Sequence, residues 1–116
     1  MSIPLSMSLN CPPSGYTISW ASDINNAFGG YVSIFKNSSN VVYVGSTTSG
    51  SFTANAGDSI QVYVHGDTYT GLTVFSFIYV DTLQEASNSG SPSVTSSYSF
   101  TVSGNHYISG VTYDQV

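Results

Sequence analysis

The chain of 116 residues is predicted to be a single all-β domain, an antiparallel β-sandwich of eight or nine short strands spanning 1–116. Three observations predict this. Apolar and polar residues alternate with a period of two along most of the chain, the pattern of half-buried strands. Clusters of Gly, Asn, Asp and Pro interrupt the alternation at spacings near the roughly 8–12 residues of sandwiches and barrels. No helical period of apolar residues extends beyond one turn.

Each element follows from its own residues. Ile3, Leu5, Met7 and Leu9 alternate with Pro4, Ser6 and Ser8, which predicts an edge strand at the start, because Pro4 cannot donate to a ladder. After a turn from Cys11 to Gly15, Tyr16, Ile18 and Trp20 alternate with Thr17 and Ser19 to give a second strand. Asp23 to Gly30 reads as a polar loop. Residues 31–36 and 41–45 flank Asn37-Ser38-Ser39-Asn40 as a hairpin with a four-residue loop. Gly50 to Ala54 is followed by a turn at 55–58 and a strand from Ile60 to His65. Residues 72–80 are the most apolar run, with Phe75, Phe77 and Tyr79 on one face and Val74, Ile78 and Val80 on the other. A strand apolar on both faces is central, or is covered on its outer face by a neighbouring subunit. Asp81 to Pro92 is the one place where a helical turn is expected, running into a Ser/Asn/Gly/Pro loop. Tyr98, Phe100 and Val102, then residues 106–113, complete the set.

Composition excludes several function classes. Only 6% of residues are charged, and the formal net charge is −5, against about 25% charged in an ordinary soluble domain. Ser, Thr and Asn fill 42 of the 116 positions, so hydroxyls and amides must wet the surface. Lys36 is the only cation. A nucleic-acid binder neutralises several phosphates with Lys and Arg, and a basic membrane-surface module needs a cluster of them; neither is expected. No apolar stretch approaches the roughly 18 residues that span a bilayer. The start has neither a positive n-region nor an uninterrupted apolar h-region, so no signal peptide is expected. The lone Cys11, beside Pro12 and Pro13, reads as a small loop or buried residue with no nearby cation to activate it.

No catalytic constellation emerges, and the chain is read as non-enzymatic with no cofactor. No Gly-x-Ser-x-Gly elbow surrounds a serine. His65 belongs with Gln61 and Tyr63 on the face opposite Ile60, Val62 and Val64, and His106 follows a Gly-Asn turn. Zinc-ligand spacing is absent. Asp23, Asn25, Asn26, Asp58 and Asp67 could offer oxygens to calcium, yet Asx residues at such places ordinarily form turns, and no metal is expected. The same applies to Asn37-Ser38-Ser39, which matches the N-glycosylation pattern on a hairpin loop.

What remains is nine tyrosines and one tryptophan among hydroxyl and amide side chains. Tyr buries area at modest entropic cost and carries a polar tip, which suits protein interfaces and sugar-binding surfaces. Tyr63, His65, Asp67, Tyr69 and Tyr107 are the candidate contacts. The stretches YVSIFKNSSNVVYVG (31–45) and SFTANAGDSIQVYV (51–64) resemble the immunoglobulin-like and jelly-roll modules of phage virion and bacterial surface-fibre proteins. That resemblance implies a sandwich of one of these two topologies and carries over no functional residue. Trp20 is not given the role of an antibody domain's core tryptophan, because the paired cysteines are missing. The expected function is a structural subunit of a virion (capsid, spike or tail) or surface fibre, located there and contacting copies of itself or other subunits. The alternative is a carbohydrate-binding module or lectin with its site near Asp67 and Tyr69.

Overall fold

The computed structural model describes residues 15–115. The expected strand at Ile3–Leu9 and the turn at Cys11 lie outside them. Within this range the chain forms nine strands and no helix. They are β1 (Tyr16–Asn25), β2 (Gly30–Lys36), β3 (Ser39–Val44), β4 (Thr48–Ala54), β5 (Ser59–Asp67), β6 (Thr73–Val80), β7 (Leu83–Gly90), β8 (Ser93–Thr101) and β9 (His106–Gln115). Two sheets pack as a sandwich, one ordered β4-β1-β9-β6-β7 and the other β3-β2-β5-β8.

Among the described residues all pairings are antiparallel except one: β1 and β9 run parallel through eight register pairs, from Ile18↔His106 to Asn25↔Tyr113. The β2–β3 loop is tighter than expected. Asn37 (φ 50) and Ser38 (φ 70) form a two-residue turn with both central residues left-handed, the hairpin geometry that matches strand twist. Ser39 and Asn40 therefore belong to β3. Asp81 (φ 53) and Thr82 (φ 70) turn β6 into β7 in the same way.

Two expectations are corrected. The segment after Asp81 is the strand β7, with no helical turn; Ser87 pairs with Phe77 and Asn88 with Ser76. Its residues are mostly exposed because it is an edge strand, so it carries no apolar alternation to read. The polar loop expected from Asp23 begins later, since Asp23, Ile24 and Asn25 continue β1 beside Val111, Thr112 and Tyr113.

The core is aliphatic. Ile18, Ile34, Ile60, Ile78 and Ile108 are fully buried together with Val32, Val62, Val64 and Val74. Trp20 is buried with them over Gly50, where a Cβ would stand 2.7 Å from the indole. Gly110 faces the opposite sheet, and a Cβ there would stand 2.6 Å from Val32 Cγ2 and 2.8 Å from Val64 Cγ2. Buried hydroxyls pair with one another: Ser76 Oγ and Ser96 Oγ are 2.6 Å apart, and Ser96 Oγ also donates to Ser76 O. Thr112 donates to Asn26 Oδ1 at 2.6 Å. Among the described residues no buried side-chain nitrogen or oxygen lacks a partner, which avoids the cost of stranding a polar group.

On β6, Ile78 points inward and Phe77 outward. Ile78→Ala is expected to cost about 2–5 kcal/mol, and Phe77→Ala clearly less because its ring lies on the outer face, partly exposed, and leaves no closed cavity; urea unfolding of the two variants checks the order. Gly110→Ala is expected to destabilise by about 1–3 kcal/mol through overpacking, read from the same unfolding midpoints.

Candidate binding surface

The outer face of the four-stranded sheet carries an aromatic cleft whose origin is local. Tyr31, Ser33 and Phe35 alternate outward on β2 while Val32 and Ile34 fill the core. Ser33 pairs with Tyr43 on β3 and with Tyr63 on β5. One small side chain thus stands at the centre of four rings. The result is an open cavity of about 510 Å³ lined by Tyr31, Ser33, Phe35, Asn40, Tyr43 and Tyr63.

A register shift between Ile34 and Phe35 in the β2–β3 ladder swings Asn40 over the floor. Its Nδ2 donates to Ser33 Oγ at 3.0 Å, to Val42 O at 3.0 Å and to Ile34 O at 3.2 Å. Asn40 Oδ1 and the hydroxyls of Tyr31, Tyr43 and Tyr63 have no protein partner among the described residues.

The walls are ordered by ring contacts. Tyr31 is stacked between Tyr43, at 5.2 Å between centroids, and His65, at 5.1 Å. Phe35 and Tyr63 meet edge to face at 5.8 Å. His65 Nε2 lies 2.9 Å from Asp67 Oδ1, and Nδ1 lies 2.7 Å from Thr95 Oγ1. A carboxylate only accepts, so the ring donates from Nε2 to Asp67. Thr95, His65 and Asp67 stand in the order of nucleophile, base and acid. Nothing else recommends Thr95 as a nucleophile: it is the direct cross-strand neighbour of His65, and the cleft does not reach it.

The five candidate contacts are only partly brought together. Tyr63, His65 and Asp67 share the outer face of β5. Tyr69 lies in the loop before β6, its ring 4.4 Å from Phe28, both more than half exposed. Tyr107 lies at the opposite end, on the other sheet, 44% exposed. Sequence reasoning missed Tyr31, Ser33, Phe35, Asn40 and Tyr43. The pattern aromatic-x-Ser-x-aromatic in Tyr31-Val32-Ser33-Ile34-Phe35 was the available sign, since a small residue between outward aromatics leaves a hollow on a pleated sheet.

The outer face of the five-stranded sheet is also aromatic. Phe75, Phe77 and Tyr79 alternate outward on β6, and Tyr113 on β9 stacks on Phe75 at 5.1 Å and on Phe77 at 5.7 Å. A shallow cavity of about 460 Å³ separates these rings from Ser87, Asn88 and Ser89 of β7. Asp23 is the only charged side chain at an outward position of β1, β4, β6 or β9.

Three carboxylates act as turn clamps at the ends of the sandwich. Asp58 is held below the usual carboxylate range by hydrogen bonds from Asn37 Nδ2 (3.0 Å) and the Asn55 N–H (2.8 Å). Burial pushes Asp81 up, but donation from His106 Nδ1 (2.7 Å) and the Tyr107 N–H (2.9 Å) brings it below its ordinary value. Asp114 is lowered by Thr68 Oγ1 (2.6 Å) and the Ala27 N–H (2.7 Å). His106 Nε2 accepts from the Ser103 N–H at 3.2 Å. Among the described residues no three His, Cys, Asp or Glu side chains form a cluster fit for a metal ion.

No family model, no curated protein and no solved structure matches the chain. The functional reading therefore rests on these two faces.

Because the three folded-state carboxyl pKa values lie below the unfolded value near 3.8, their contribution is present above that pH and is lost as pH falls through the folded values. Thermal melts are expected to be flat near neutrality and to drop below about pH 4. An Asp58→Asn, Asp114→Asn double variant is expected to melt lower at pH 7 and to show a shallower acid limb.

Proposed function

We propose that the protein is a non-enzymatic assembly subunit, of the kind that builds a virion or surface fibre, and that it packs against a second copy through the outer face of β6 and β9. The observation that carries this reading is the strand β6. Its inner residues Val74, Ile78 and Val80 fill the core, while its outer residues Phe75, Phe77 and Tyr79 form, with Tyr113, a ridge of rings on the far side. Removing such area from water contributes about 25 cal/mol per Å². Charge permits the contact. Each copy carries a net −5, but the ridge is flanked by Ser87 and Ser89 on one side and by Ser109 and Val111 on the other, and the carboxylate of Asp23 stands one strand further out, beside Val111. Interface cores are depleted in charge and enriched in aromatics in the same way.

Light scattering across a concentration series tests the reading. Concentration-dependent association is expected for the natural sequence, and Phe77→Ser is expected to weaken it at least tenfold while remaining folded. A wild-type chain that stays monomeric at millimolar concentration overturns it.

A further inference from the structure

On the opposite sheet, we infer that the cleft centred on Ser33 is a binding site for a neutral saccharide unit. The inference is independent of the assembly reading, because the two surfaces lie on different sheets.

The cavity exists because position 33 is serine. Both cross-strand neighbours and both neighbours two residues away on β2 are aromatic, so any larger side chain would fill the hollow; Ser33 is itself only 5% exposed. Its volume, about 510 Å³, falls in the range of small-ligand pockets, roughly 300–1,000 Å³. A pyranose ring has apolar C–H surfaces and a rim of hydroxyls, and the cleft matches both. Tyr43, 65% exposed, and Tyr63 supply ring surface. Asn40 Oδ1 offers an acceptor, and the tyrosine hydroxyls and Ser33 Oγ offer donors.

Charge selects the ligand class. The single cation is spent elsewhere: Lys36 Nζ donates to Thr53 O on the other sheet at 2.9 Å. A sulfated, phosphorylated or uronic ligand would meet no counter-charge. A quaternary ammonium needs free ring faces converging on one point, and Tyr31 has one face covered by Tyr43 and the other by His65. Asp67, the acid nearest this stack, is engaged by His65. A neutral polyol is the chemistry that fits.

Isothermal titration with neutral gluco-, galacto-, manno- and xylo-oligosaccharides tests the site, with polygalacturonate and choline as charged comparators. Binding of at least one neutral oligosaccharide at millimolar concentration or tighter is expected, with neither charged probe bound. Ser33→Leu, which fills the hollow, is expected to weaken that binding at least tenfold with an unchanged melting temperature, and Tyr43→Ala to weaken it by a similar factor. Thr101→Leu, on the same face but opposite Ser59 at the end of β8, should leave it intact. Absence of binding by every neutral oligosaccharide, binding of choline alone, or full affinity in a folded Ser33→Leu variant would overturn the inference.

Discussion

The two sheets come together where Gly110 of β9 faces Val32 and Val64, and a single added methyl at that point would collide with both. That close approach sets how thick the layer between the sheets can be. Ile and Val fill it, and no aromatic residue is among the fully buried side chains. Trp20 is buried with them, because Gly50 leaves room for its indole. Interiors are close-packed and do not stretch to admit larger rings. The tyrosines and phenylalanines of β2, β3, β5, β6 and β9 stand on the outer faces, whereas Tyr16, Phe52, Tyr98 and Phe100 of β1, β4 and β8 pack partly buried against the core.

Much of the fold was legible because alternation is a direct physical trace of a half-buried strand. Ile60, Val62 and Val64 announced their inward face, and residues 72–80 announced a strand apolar on both sides. The features that escaped share a cause. β7 has no buried row to impose alternation, as its register beside β6 comes from the Asp81-Thr82 turn. The β1–β9 pairing joins residues nearly ninety positions apart, and nothing local marks it. Alternation shows that Phe77 and Ile78 lie on opposite faces, but which face is the core depends on the sheet across from them.

The aromatic cleft was legible only in fragments. Tyr63 and His65 were identified as outward residues of one strand, yet the hollow is made by their neighbours on β2 and β3, and cross-strand register is not written in either strand alone. Tyr69 and Tyr107 shared the same composition-based rationale and lie at opposite ends of the sandwich. The low charge reads differently once placed. Asp58, Asp81 and Asp114 are committed to holding turns and loop ends, and so both broad faces are left almost free of carboxylates.

The parallel pairing of β1 with β9 has a mechanical consequence. The described chain enters at the lower end of β1 and leaves at the upper end of β9, and these strands lie side by side in the middle of a sheet. Tension applied between those two points loads the whole eight-pair ladder in shear, so its hydrogen bonds must give way together. A hairpin pulled from its open end would surrender them one at a time. Traction between these two points is thus resisted by the whole ladder at once, across a seam that no single turn could show.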